Sequence, residues 1–304
     1  MCTWYYKYGS LLVMLVTTRR VGCRMLATQS RSHSVYAVTG ADGPLGVATT
    51  AALVSHGATV VMGCADAQRG RMLADKLNAA TNMQSAICSD ANLDLGSTSS
   101  IHAWADALQD EMPGGSKLEA LVHHAGIMGL GAYTKTVDGD EGQWATNYLG
   151  PFRLTQRLWP LLLRSDTKIV CLTSTSHCTP NAPLDFSMAC STDGTYHGWG
   201  AFQQSKLASL LFSNELQRRF AASGSGATSR AVCELDKWFI LPQLLLPDDK
   251  ADLAAGPVTT LAALGGLGEG GDYLVDSSVG TPGEHAMIED DARRLWEVSS
   301  GARS

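Results

Sequence analysis

From residue 35 onward, short apolar runs are each followed by a longer helical stretch, and this alternation constrains the fold more than any other feature of the chain. Residues 35–39, 58–63, 84–88, 118–123 and 168–173 read as strands. Residues 45–56, 67–80, 98–111, 142–163 (bent at Pro151) and 201–222 read as helices. Residues 230–233 and 273–275 carry weaker strand signals. The strand runs are apolar throughout instead of alternating with polar residues, which marks strands buried on both faces. Such strands, joined by helical crossovers of one hand, form a doubly wound parallel sheet with helices on both faces. The expected architecture is a single α/β domain of Rossmann type, in which ligands meet the carboxyl ends of the strands.

Composition narrows the function classes. The formal net charge of −6 gives no reason to expect nucleic-acid binding. The eight cysteines include no CxxC pair, so no metal site is expected. Cys88 and Cys171 lie in apolar runs and read as buried reduced thiols, which favours a reducing compartment. Residues 1–33 differ from the rest. No acidic residue precedes Asp42, while Lys7, Arg19, Arg20, Arg24 and Arg31 are basic. This is the balance of an organelle-targeting segment, with mitochondria expected. The apolar run 11–16 falls short of the roughly 20 residues a membrane span requires. Trp4, Tyr5, Tyr6 and Tyr8 precede it in the manner of an interfacial anchor. Two readings stay open: a presequence that is removed, or a retained tail that contacts a membrane or a partner. The expected division is thus a 1–33 extension and a 34–304 domain.

The motifs fall at strand ends. Thr39-Gly40-Ala41-Asp42-Gly43-Pro44-Leu45-Gly46 lies between the first strand and first helix, where a glycine turn lets a pyrophosphate approach backbone amides. This segment resembles the TGxxxGxG fingerprint of the short-chain dehydrogenase/reductase family, and further matches follow in order. Asp94-Leu95 resembles the aspartate after strand three that contacts adenine. Leu121 to Gly126 resembles LVNNAG, placing Ala125 and Gly126 beside the cofactor. Thr146 to Phe152 resembles TNHLGPF, so Asn147 matches the active-site asparagine. Ile169 to Ser174 resembles IVNVSS, so Ser174 matches the catalytic serine. Ala201 to Ala208 resembles AYxxSKLA, so Lys206 matches the catalytic lysine. Residues 271–276 and 294–299 resemble the tail of the retinol-dehydrogenase-like branch. The resemblance spans about residues 35–300. It implies an NAD(P)(H) site at Gly40, Asp42, Gly43, Gly46, Asp94, Ala125, Gly126 and Lys206.

The match breaks at the chemistry. Where the family keeps the tyrosine that exchanges a proton with the substrate oxygen, this chain has Phe202. General acid–base catalysis contributes roughly 10²–10⁴-fold, and a phenyl ring has no proton to give. Tyr196, six residues upstream, is not one helical turn away. Pro44 stands at the middle glycine of the fingerprint and lacks an amide. His123 and His124 replace paired asparagines, and adjacent strand residues point to opposite faces. Arg69 or Arg71 are candidates for a 2′-phosphate beside Ala65. Val232 to Asp236 lacks the Pro-Gly turn that relatives place over the nicotinamide. Asn147, Ser174 and Lys206 also admit bland roles: a backbone-bonding amide, a strand-end cap and a helix-surface cation.

Two functions follow. The leading expectation is a catalytically impaired family member serving as a structural or nucleotide-binding subunit, of a mitochondrial membrane assembly or a homo-oligomer. The alternative is an active NAD(P)(H)-dependent oxidoreductase acting on an apolar carbonyl or alcohol.

Overall fold

The computed structural model describes residues 34–129, 131–178, 182–186, 196–233 and 258–301. The extension 1–33 and the segment after Cys233 lie outside them. Eight strands form one sheet in the order β3-β2-β1-β4-β5-β6-β7-β8. They are β1 Ser34–Thr39, β2 Thr59–Gly63, β3 Ala86–Ile87, β4 Lys117–His123, β5 Lys168–Thr173, β6 Thr228–Cys233, β7 Tyr273–Val275 and β8 Ser278–Val279. All pairs are parallel except β7 with β8. The expected doubly wound α/β sheet is the observed one, with its order reversing between β1 and β4.

Alternate strand residues feed two cores. Val35, Leu121, Ile169 and Ala231 face one layer, with α3 (Thr98–Glu111), α4 (Gly150–Ser165), α5 (Gly198–Ser223) and α7 (Glu289–Gly301) packed on it. Val38, Val122, Val170 and Val232 face the other, covered by α1 (Pro44–Ser55), α2 (Ala67–Thr81) and α6 (Val258–Leu264).

Local chemistry explains the departures from expectation. β3 begins two residues late because the buried Asn78 side chain takes the strand's backbone groups: Oδ1 accepts from Ser85 N and Ala86 N, and Nδ2 donates to Ala86 O. The bend near Pro151 is a π turn at Ala145–Leu149 between a helical turn, Gly142–Trp144, and α4. Gly150 N reaches back to Ala145 O. Pro151 has no N–H to give to Asn147 O, and Ser209 Oγ donates to that carbonyl at 3.0 Å instead. β8, α6 and α7 lie beyond the periodic segments that sequence reading found.

Candidate functional site

The site forms where β1, β4 and β5 end. Gly40 adopts φ +64 and a Cβ there would stand 2.7 Å from Ala125 Cα. A Cβ on Gly46 would stand 2.2 Å from Gly40 O. Both positions need glycine for packing alone. Gly43 is different: its nearest neighbour, Gly40 O, would be 3.3 Å from a Cβ. It is the N-cap of α1, no side chain caps that end, and Pro44 begins the helix. Uncapped amides at a helix N-terminus suit an anion. Asp42 is half-buried beside this turn. Asp94 is exposed, and its Oδ1 accepts from Gly96 N at 2.8 Å, a turn-forming role leading into α3.

Helix α5 supplies the opposite wall. Phe202, Ser205, Lys206 and Ser209 stand at i, i+3, i+4 and i+7, which puts them on one face, and all four are buried. Ser205 Oγ donates to Phe202 O and accepts from Asn147 Nδ2 at 2.9 Å. The Asn147 amide also clasps the backbone of Ile127, accepting from its N at 2.8 Å and donating to its O at 2.9 Å. The backbone-bonding role expected for Asn147 is therefore real. Ser174 Oγ accepts from Ser176 N, the strand-end cap. Ser174 follows Thr173, whose hydroxyl donates to Lys206 O.

Lys206 is no helix-surface cation. It is 1% exposed, and Nζ donates to Leu172 O at 3.3 Å. It lies 5.6 Å from the centroid of the Phe202 ring. A Cβ on Gly126 would stand 3.5 Å from Nζ and 3.2 Å from Asn147 Oδ1, so glycine leaves both polar tips room. Burial pulls the Lys206 pKa down to about 8. An ammonium has three donors, and the hydrogen bond it makes here is this long contact with a carbonyl. Phe202 packs with Leu45 and Leu172, with Met128 against them, and stacks on Trp199.

Tyr196 is committed elsewhere. Its hydroxyl donates to Glu141 Oε1 at 2.8 Å and accepts from Gln143 Nε2 at 2.9 Å. Burial and the Glu141 hydrogen bond raise its pKa to about 12. His123 and His124 do point to opposite faces, His123 Nε2 meeting Thr155 of α4 and His124 Nε2 meeting Thr49 of α1. The Thr155 hydroxyl donates to Pro151 O, so it accepts from His123 Nε2–H. That leaves His123 Nδ1 a bare acceptor without a partner. A cavity of about 10 Å³ beside it, lined also by Asn147, Cys171 and Ser209, is the size of one water. Desolvation lowers both histidines to about 3. Arg71 is held by Asp90 at 2.6 Å.

Gly126, Asn147 and Lys206 thus converge while Asp94 stays in its own turn, and Ser205 and Ser209, which lock Asn147, were missed. Ser205 stood in the AYxxSKLA match without a role, and Ser209 had only its helical spacing from Lys206.

A doubly wound sheet with a glycine turn, an Asn-Ser-Lys cluster and this strand order defines the class, and the chain belongs to the short-chain dehydrogenase family, whose profile matches residues 34–184. Similar proteins include human retinol dehydrogenase 11, 31% identical across 87% of this chain and 84% of that protein. The WW domain-containing oxidoreductase of Gallus gallus is 32% identical across 90% of this chain and 69% of its own length. Among solved structures, an uncharacterized protein from Mycobacterium paratuberculosis superposes with a TM-score of 0.74 at 29% identity, covering 91% of this chain and 96% of that one.

Proposed function

We propose that this protein binds a nicotinamide dinucleotide but is catalytically impaired, and serves as a structural or nucleotide-sensing subunit. The observation that carries this reading is the Phe202 ring, buried between Leu45, Leu172 and the Lys206 ammonium. The residues present fit the cofactor in part. The uncapped α1 N-terminus suits a phosphate, and the three-donor Lys206 ammonium suits ribose hydroxyls. When bound, the dinucleotide supplies hydride chemistry. On the protein side, Lys206 would hold the ribose and Ser174 would orient a carbonyl. At position 202 no group exchanges a proton, and Tyr196 is tied to Glu141 and Gln143.

The test is titration with NADH and NADPH, followed by turnover assays on apolar aldehydes and alcohols. Binding is expected in the range of roughly 1 μM–1 mM common to enzyme ligands, without sustained turnover. Phe202→Tyr is expected not to create robust turnover, because Pro44 and the paired histidines also depart from the family pattern. Strong turnover by the unmodified protein overturns the reading.

The second reading, an active NAD(P)(H)-dependent oxidoreductase, is favoured by the convergence of Asn147, Ser174 and Lys206 at one strand end. It requires turnover that disappears in Lys206→Ala. A mitochondrial membrane assembly remains part of the proposal on the strength of residues 1–33. Among the described residues no helix is long and apolar enough to cross a membrane. Native electrophoresis of a mild-detergent extract decides this point: migration in a large complex of fixed stoichiometry supports it, and a free monomer or small homo-oligomer removes it.

A further inference from the structure

Two cysteines near the glycine turn have no role in the proposed chemistry. Cys64 follows β2 and Cys88 follows β3, and both pack into the sheet face that α2 covers. Helix α2 meets them at Gly70. A Cβ on Gly70 would stand 2.5 Å from Cys88 Sγ and 2.6 Å from Cys64 Sγ. A single point therefore touches both sulfurs, and their separation cannot exceed the sum of those distances. Cys88 Sγ also lies 3.7 Å from Ala67 O and from Ser89 O, weak acceptors for its thiol proton. Any residue larger than glycine at position 70 would drive a wedge between the two sulfurs.

The two thiols differ in the way an attacking and a resolving cysteine differ. Cys64 is fully buried, while Cys88 is partly exposed. The neighbouring Cys88 sulfur and burial push the Cys64 thiol up. The neighbouring Cys64 thiol and the Arg71 guanidinium bring Cys88 down, against its partial burial and the Asp42 and Asp90 carboxylates. Arg71 is itself anchored on Asp90 and Ser89 O. A thiol of lowered pKa with access to solvent is the one that reacts.

We infer that Cys64 and Cys88 form an oxidative modification site, a thiol pair that closes to an intramolecular disulfide when it meets a small disulfide such as oxidised glutathione. Cys88 loses its proton and its thiolate attacks one glutathione sulfur. A Cys88–glutathione mixed disulfide forms and one glutathione thiolate leaves. Cys64 loses its proton and attacks the Cys88 sulfur, forming the Cys64–Cys88 bond and expelling the second glutathione thiolate. The two protons end on the two glutathione thiolates. Two protein thiols are oxidised by two electrons, and one glutathione disulfide is reduced to two glutathione molecules. The inference stands on the contact and unequal exposure of the two thiols and does not rest on the proposed nucleotide binding.

The experiment exposes the full chain to oxidised glutathione, denatures it, alkylates the remaining thiols, and maps peptides by mass spectrometry with and without reductant. The expected result is loss of alkylation at both Cys64 and Cys88, with their peptides linked within one monomer and released by dithiothreitol. Cys64→Ser should stop at a glutathione adduct on Cys88, and Cys88→Ser should leave Cys64 alkylatable. Gly70→Ala should slow bridging, and the two serine variants decide the matter if that helix position does not tolerate a methyl group. Three outcomes overturn the inference: both thiols stay alkylatable, the unmodified chain accumulates the Cys88 adduct without bridging, or Cys64 reacts in the absence of Cys88.

Discussion

The two walls of the candidate site are built differently. The β1–α1 turn is shaped by missing side chains: Gly40 and Gly46 lie so close to Ala125 and to the turn's own backbone that no Cβ fits. The α5 wall is shaped by side chains that fill space: Phe202 seals an apolar cluster, and Lys206 is carried beneath it. A backbone cradle persists because the sheet cannot close without it, whatever the ligand. A filled wall persists only while its particular side chains are kept. The glycines are therefore weak testimony for chemistry, and Lys206, which has a structural cost, is stronger.

The comparison breaks most visibly at Phe202. Truncation to alanine in a site 1% exposed should lower stability by about 3–5 kcal/mol, measured by urea unfolding. A loss below about 1 kcal/mol would mean that the ring does not pack as a core residue. Lys206 gives the next effect, and it has a sign. Its folded pKa is about 8, below the ordinary lysine value of about 10.4. Between those values the unfolded chain binds the extra proton, so this group's penalty is fully present below about pH 8 and is relieved as pH rises through the window. In Lys206→Met that contribution is absent. The stability advantage of the methionine variant over the unmodified chain should shrink by about 3 kcal/mol from about pH 7 to about pH 10.5. A pH-independent difference would show that Lys206 is hydrated.

How much of this was readable follows from the range of the interactions. Residues 98–111 were legible because Ser97 caps the helix locally, accepting from Ser100 N, and apolar spacing does the rest. The parallel sheet was legible because strands buried on both faces leave unbroken apolar runs. β3 was misjudged because Asn78, seven and eight residues upstream, satisfies its first backbone groups. Lys206 was readable as a motif position, but its burial was not, since a lysine after Gln203, Gln204 and Ser205 looks like a wet helix face. Nothing local ties Tyr196 to Glu141, which is 55 residues away. The Cys64–Gly70–Cys88 contact joins three elements and leaves no periodic trace.

The glycine wall can be tested against itself. Gly46→Ala places a methyl group against Gly40 O and Ala41 Cα and should cost about 1–3 kcal/mol through overpacking. Gly43→Ala meets only Gly40 O at 3.3 Å, and its stability change should stay within about 0.5 kcal/mol. If the dinucleotide binds at this turn, Gly43→Ala should nevertheless weaken NADH or NADPH binding, because the methyl group stands where the phosphate approaches. Equal thermal shifts for the two variants would contradict the packing difference between them.

The smallest expected effect probes the joint between the walls. Ser209 Oγ lies 3.0 Å from the Asn147 carbonyl that Pro151 cannot serve and 2.8 Å from Ser205 O, and shares its one proton between them. Ser209→Ala leaves that carbonyl buried beside the one-water cavity, where the methyl group removes the donor and adds no clash. The cost should be about 1 kcal/mol, the ordinary worth of one hydrogen bond, provided that a water entering from the cavity side takes over. A loss of about 3 kcal/mol would mean that the carbonyl stays unpaired and that the cavity is dry. The loss separates these cases because His123, whose Nδ1 has no hydrogen-bond partner, lines the same space. One water donating to both the Asn147 carbonyl and His123 Nδ1 would satisfy two orphaned acceptors at once. Ser209→Ala in a His123→Leu background would then cost more than in the unmodified chain, since the water would have lost its second anchor.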